Sequence, residues 1–350
     1  MNKTKKTSPF KRNAALTLGA MGVVYGDIGT SPIYAFNEAV HAGGDTRSEI
    51  LGVLSLVFWT LTIVVSIKYL IFVLNADNKG EGGTLAMFSQ FSEKIRSGRR
   101  GLMGFTVFIF LMAAALEFAD GILTPAISVT SAVEGIKTID PSLSYLVVPI
   151  TVLILAILFI VQFKGTHTIG AIFGPVMILW FLVIAVLGIT QVAQNPESLV
   201  SLNPIYALNF IQAHGLQTLV VMSSVILSVT GAEALFSDLG HFGKGPIRIG
   251  WFGLAGLALP LNYFGQGALL LRDPSTHGNT FFGMAGPGIP TLLLLLITTM
   301  ATIIASQALI SAVASLASQA VQMGFLPRIR IQHTNRQERG QIYVPFVNAA

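Results

Sequence analysis

The chain of 350 residues is 53% hydrophobic and only 11% charged, with a mean hydropathy of +0.71 and apolar runs of bilayer-spanning length, which excludes a soluble enzyme. It holds no cysteine, so disulfides, thiolate metal ligands and thiol nucleophiles are excluded as well. The net charge of +5 does not point to nucleic acid, because the basic residues gather in loops on one side of the membrane.

Eight spans are predicted, at roughly residues 14–37, 51–74, 103–133, 145–162, 169–191, 216–236, 251–271 and 289–320. The third and eighth exceed about 20 residues and should tilt or project beyond the lipid. The basic start before an apolar run looks like a signal peptide, but the run is long and carries Asp27 and Pro32, so it is read as a retained helix. With the N-terminus cytoplasmic, 17 lysines and arginines fall inside, three fall outside (Arg47, Lys137, Arg272), and Lys68 remains within the second span. That bias sets the orientation.

The first span is the least ordinary. Its core, GVVYGDIGTSPIY over residues 22–34, places a carboxylate, four hydroxyls and a proline at membrane depth. Gly19, Gly22, Gly26 and Gly29 leave one helical face bare, and Pro32 lacks the N–H that an unbroken helix needs. A helix that breaks near mid-membrane is expected, with unwound carbonyls over residues 26–30. Irregular backbone survives at that depth only where protein or a watery cavity satisfies it, and transporters bind ions at such breaks.

Of sixteen acids only Asp27, Glu117, Asp120 and Glu233 lie well inside predicted spans. An unpaired charge at a helix centre costs about 2.5 to 3.5 kcal/mol on insertion scales, so four acids should turn inward toward each other or toward water. Glu117 and Asp120, three apart, share one face of the third helix. The sixth span repeats the pattern of the first, with Ser223, Ser224, Ser228, Thr230, Gly231 and Glu233 in an apolar run. The two are five spans apart, an odd offset, so they run in opposite directions, as an inverted repeat of five helices plus five requires. Only three helices of a second repeat precede Ala350, and a truncated protein is expected.

Other features read as structure. GEGG at 80–83 has no preceding strand and no Gly-Lys-Ser/Thr, so it is a cytoplasmic turn and not a phosphate cradle. Gly250, Gly253 and Gly256 are expected to permit close helix packing. The six histidines are scattered without metal-ligand spacing.

The motifs GVVYGDIGTSPIY, SIKYLIFVLNADNKGEGG (66–83), LTPAISVTSAVEG (123–135), VTGAEALFSDLGHFGKGPIR (229–248), LNYFGQGALLL (261–271) and IASQALISAVASLASQAVQMGFLPR with IQHTNRQERGQIYVPFVN appear in order. In these the chain closely resembles the Kup-type potassium uptake permeases, the KUP/HAK/KT family of the amino acid/polyamine/cation transporter superfamily, from about residue 16 to 348. The resemblance implies potassium uptake, generally proton coupled, on an all-α LeuT-like fold with broken first and sixth helices and one functional acid in each of the first, third and sixth helices. By motif these are Asp27, Asp120 and Glu233; Glu117 is an additional acid outside the family pattern.

Potassium is best served by several oxygens of limited formal charge. Asp27 is expected to balance the ion, with Tyr34 and Thr230 as neutral ligands and Tyr25 and Thr30 offering further hydroxyls. The plainer alternative for Asp27 is a cap on the second half of a broken helix. Burial without a countercharge favours the neutral form of a carboxyl, so Glu233 and Asp120, with Glu117 beside them, are the proton-coupling candidates; Glu233 has a static hydrogen bond as its alternative role.

The expected partners are potassium, protons and the lipid bilayer, with a homodimer left open, no nucleic acid and no cofactor. The expected organisation is a cytoplasmic tail (1–13), a transport domain (14–320) and a cytoplasmic segment (321–350) in the plasma membrane. The rivals are an amino acid or organic cation transporter of the same fold, against which an Asp at the first break argues, and a passive channel, for which no TVGYG-like filter is present.

Overall fold

The computed structural model describes residues 9–78, 80–91, 101–162, 167–333 and 342–345. Part of the basic tail (1–8), the basic stretch at 79 and 92–100, and the motif residues 334–341 lie outside the described residues.

The first predicted span is four pieces: α1 (Pro9–Val23), α2 (Gly26–Thr30), a 3-10 turn (Ser31–Ile33) and α3 (Ala35–Gly43). The second opens on a capping box, in which the Thr46 hydroxyl accepts from the Glu49 N–H and the Glu49 carboxylate accepts from the Thr46 N–H at 3.0 Å. It runs as α4 (Arg47–Thr60) and then widens into π winding over Leu61–Phe72. That winding frees carbonyls, and the Arg248 guanidinium donates twice to the one at Leu70, from Nε at 3.1 Å and Nη2 at 2.9 Å.

After the short α5 (Thr84–Ser89) come α6 (Gly101–Glu134), α7 (Val147–Val161) and α8 (His167–Gln194), the third to fifth spans. A short helix α9 (Ile205–His214) leads to α10 (Gln217–Ile226), which ends in a 3-10 turn (Leu227–Val229) and a break at 230–233. The chain continues as α11 (Lys244–Gly250), a π turn (Trp251–Ala255), α12 (Gly256–Arg272) and α13 (Ile289–Gln322). Two-residue strands, Gln332–His333 and Ile342–Tyr343, pair antiparallel near the end. Among the described residues, seven segments are long and apolar enough to cross a membrane. The first predicted span is outside that set, so of the eight expected spans seven meet this criterion, the broken sixth among them, and the broken first does not.

Glycine contacts decide how tightly the bundle closes. A Cβ at Gly22 would sit 2.6 Å from the Gly174 nitrogen, so α1 and α8 cross backbone to backbone; Gly29 packs on the Phe181 ring and Gly26 on Ala305 of α13. The bare face of the first span thus seats α2 between α8 and α13. Of the other predicted packing glycines, only Gly250 meets another segment, at the Tyr25 ring; Gly253 has nothing within 4 Å and Gly256 faces its own turn at Trp251, a correction to the expected stripe. Trp180, Phe181, Tyr25 and Tyr263 fill the core, whereas α7 turns Val148, Val152, Leu153, Ile157 and Ile160 outward, as a lipid-facing helix does.

At the end of the bundle that carries the GEGG turn, Lys244 donates to Asp77 at 2.6 Å and the Gly80 N–H donates to the same carboxylate at 2.8 Å. The Lys244 ammonium, then the Gly80 amide, hold the Asp77 carboxyl below its usual range.

Candidate functional site

The two breaks meet. Gly231 sits at φ +85°, a conformation that admits glycine readily, and a Cβ there would lie 2.6 Å from the Ile28 nitrogen and 2.7 Å from Asp27 Oδ2. Only a residue without a side chain lets the sixth segment come this close to the first.

Asp27, in the first turn of α2, is 4% exposed, and neither of its carboxylate oxygens has a hydrogen-bond donor among the described residues. It is therefore not a satisfied helix cap. Asp120 on α6 accepts from Thr124 at 2.6 Å through one oxygen while its other oxygen is buried without a donor. One carboxylate oxygen each from Asp27, Asp120 and Glu233 lie within 4.8 Å of one another. Among the described residues no lysine or arginine pairs with any of the three. An isolated buried carboxylate costs several kcal/mol, so three that converge demand positive charge, as cations, protons or both.

Neutral oxygens complete the surroundings. The Tyr34 phenol, 5% exposed, faces the hydroxyls of Ser31, Thr230 and Ser128. Ser128 escaped the sequence reading, though Asp120, Thr124 and Ser128 recur every fourth residue and so share one face of α6. Thr230 donates its own proton to the Leu227 carbonyl at 2.8 Å, which leaves its lone pairs for a ligand.

Other predicted residues are placed differently. The 26–30 stretch is a helical turn and not unwound, with the Gly29 N–H donating to the Tyr25 carbonyl at 3.0 Å, and two of its carbonyls are taken, that of Asp27 by Thr30 at 2.9 Å and that of Gly29 by Trp180 at 2.8 Å. The breaks lie on either side of it. The Tyr25 hydroxyl is spent on the Ile247 carbonyl, and its ring stacks on Trp251 at 6.2 Å. Glu117 accepts a hydrogen bond from Thr84 and lies with Asp120 and Glu233 along a cavity of about 80 Å³ that also reaches Glu81, Asp238 and His241. On the other side of the cluster, Tyr34 and Ile33 form part of the lining of a larger cavity of about 260 Å³.

Buried amides hold the broken helix in place. Gln266 of α12, fully buried, donates to the Pro32 carbonyl at 2.8 Å and accepts from Thr280 at 2.6 Å, while Asn262 donates to the Ile184 carbonyl of α8 at 3.0 Å. The winding changes at Tyr34, between the 3-10 turn and α3, and Gln266 supplies a donor to the carbonyl just before that junction. Replacing Gln266 by leucine, which keeps the volume and strands the Pro32 carbonyl, is expected to cost about 1 to 3 kcal/mol. A thermal midpoint equal to that of the parent would show that water does the same work.

These features define a polytopic α-helical membrane protein whose interior holds an uncompensated acid site between two broken segments. The chain belongs to the family described as the K+ potassium transporter integral membrane domain, whose sequence model matches residues 14–350. It is 52% identical over 339 residues to the probable potassium transport system protein Kup 2 of Paramagnetospirillum magneticum, covering 96% of this chain and 52% of that one. Similar values relate it to the probable potassium transport system protein Kup of Methylibium petroleiphilum (52% over 340 residues; 96% and 53% covered) and to the probable Kup 1 protein of Cupriavidus necator (51% over 346 residues; 97% and 54% covered). The chain spans about half the length of the curated relatives it matches.

Proposed function

We propose that the protein takes up potassium across the plasma membrane by proton-coupled symport. The observation that carries this reading is the convergence of the buried Asp27 with the half-buried Asp120 and Glu233, with no cationic side chain paired to them among the described residues. Potassium lies against Asp27, with the hydroxyls of Tyr34, Thr230 and Ser128 replacing part of its hydration shell. Asp120 and Glu233 carry the coupled proton. Carboxylates this close do not all ionise unless cations neutralise them, so one of the three keeps a proton throughout; against the remaining two charges an ion without the coupled proton, or a proton without the ion, leaves one uncompensated. Joint occupancy is therefore favoured over single occupancy, which is the thermodynamic basis of symport. Glu117, along the smaller cavity, passes the proton toward the cytoplasm.

The fold assigned to this reading is the LeuT-like inverted repeat, supported by the paired breaks in the first and sixth segments and the contact between them at Gly231. The N-terminus is cytoplasmic, on the distribution of lysine and arginine, residues 14–320 form the transport domain, and residues 321–350 are cytoplasmic. In proteoliposomes containing the protein, an inward proton gradient is expected to drive rubidium or potassium above its equilibrium level, and a protonophore to abolish the accumulation. Flux that only equilibrates the ion would indicate a channel and sink the coupling.

A further inference from the structure

The larger cavity is framed by the first segment (Ile33, Tyr34, Asn37, Glu38), the end of α6 and the turn at 278–282. Its base is buried, with Ile33 3% and Phe282 5% exposed, while the charged residues stand at its rim. Three charges face it. Lys137 donates to Glu134 at 2.6 Å, so these two cancel; Glu38 makes no ion pair among the described residues and leaves the rim one unit negative. Polar groups line the wall, among them Ser131, Thr138 and Asn279, with Asn37 held through its amide oxygen by Thr280 at 2.6 Å.

Volume sets the state in which an ion occupies each side. At about 30 Å³ per water, the 260 Å³ cavity has room for a cation with most of its first hydration shell, whereas 80 Å³ admits two or three waters. Tyr34 separates the two regimes, lining the roomy cavity and also facing Thr230 and Ser128 of the acid site. We infer that this cavity is a waiting site for a hydrated monovalent cation, with Glu38 as the carboxylate that recruits it, one step before the ion sheds water at Tyr34. The inference rests on the transport reading above and adds a residue that determines apparent affinity without touching the dehydrated ion.

A single unpaired charge at a half-open cavity raises the local cation concentration about three- to tenfold, and salt screens the effect. Rubidium uptake kinetics test it. Glu38→Gln is expected to raise KM for rubidium about three- to tenfold with the saturating rate unchanged. Lys137→Gln frees Glu134 and is expected to shift KM the opposite way, and both differences are expected to shrink in high concentrations of an impermeant salt. Both side chains are exposed at the rim, so the variants should keep the parent melting temperature. Unchanged KM in Glu38→Gln, or KM moving the same way in both variants, overturns the site. Absence of rubidium uptake by the parent protein would instead overturn the transport reading itself, so the two failures are told apart.

Discussion

Replacing Gly231 by alanine is expected to abolish uptake and lower the thermal midpoint by several degrees. Two costs add. A Cβ at φ +85° strains the backbone by about 1 to 2 kcal/mol. The same atom would lie 2.6 Å from the Ile28 nitrogen and 2.8 Å from the Asp27 Cβ, and backbone cannot yield as the tip of a flexible side chain does. Overpacking of that kind costs about 1 to 3 kcal/mol more. The sixth segment must then retreat from the first, taking Glu233 away from Asp27. Gly253→Ala is the control, since nothing lies within 4 Å of a Cβ there, and it is expected to behave as the parent does. If Gly231→Ala transported and melted like Gly253→Ala, the contact between the breaks would not matter to the site.

Asp27→Asn is expected to remove potassium binding and, in potassium-free solution, to leave the protein at least as heat-stable as the parent. The sign follows from the two unpartnered oxygens of Asp27. Without an ion this carboxylate is a buried charge in want of a partner, and the amide removes that penalty. With the ion, the parent gains stability as RT ln(1 + [K+]/Kd), about 2.7 kcal/mol at a hundredfold excess over Kd. The variant loses the charged partner of a buried pair, an effect of about 3 to 5 kcal/mol, equivalent to two to four orders of magnitude in Kd. Thermal melts with and without potassium measure both halves. A potassium-dependent rise in Asp27→Asn equal to that of the parent would remove Asp27 from the ion site.

Much of this molecule can be read along the chain. Asp27, Glu117, Asp120 and Glu233 stand out because a charge among lipid-length apolar residues is costly wherever it sits, and Pro32 with its flanking glycines marks a break for reasons internal to a few residues. Hydroxyls were harder to assign. Tyr25, Thr30 and Tyr34 look alike in sequence, yet one donates to the distant Ile247 carbonyl, one to the Asp27 carbonyl three residues back, and one faces Ser128 and Thr230. A hydroxyl takes whichever acceptor the fold brings within reach, and that acceptor belongs to another segment as often as to its own.

From its sequence alone the protein was bound to span a membrane, to break its first helix and to turn its intramembrane acids inward, since each of these follows from local transfer energies and backbone chemistry. The tertiary structure decided that Asp27, Asp120 and Glu233 converge within 4.8 Å, that Gly231 packs bare against Asp27 and Ile28, that Gln266 holds the Pro32 carbonyl, and that Trp180 holds the short helix between the breaks. Those outcomes depend on distances between segments as far as 234 residues apart, which packing sets and no local pattern encodes.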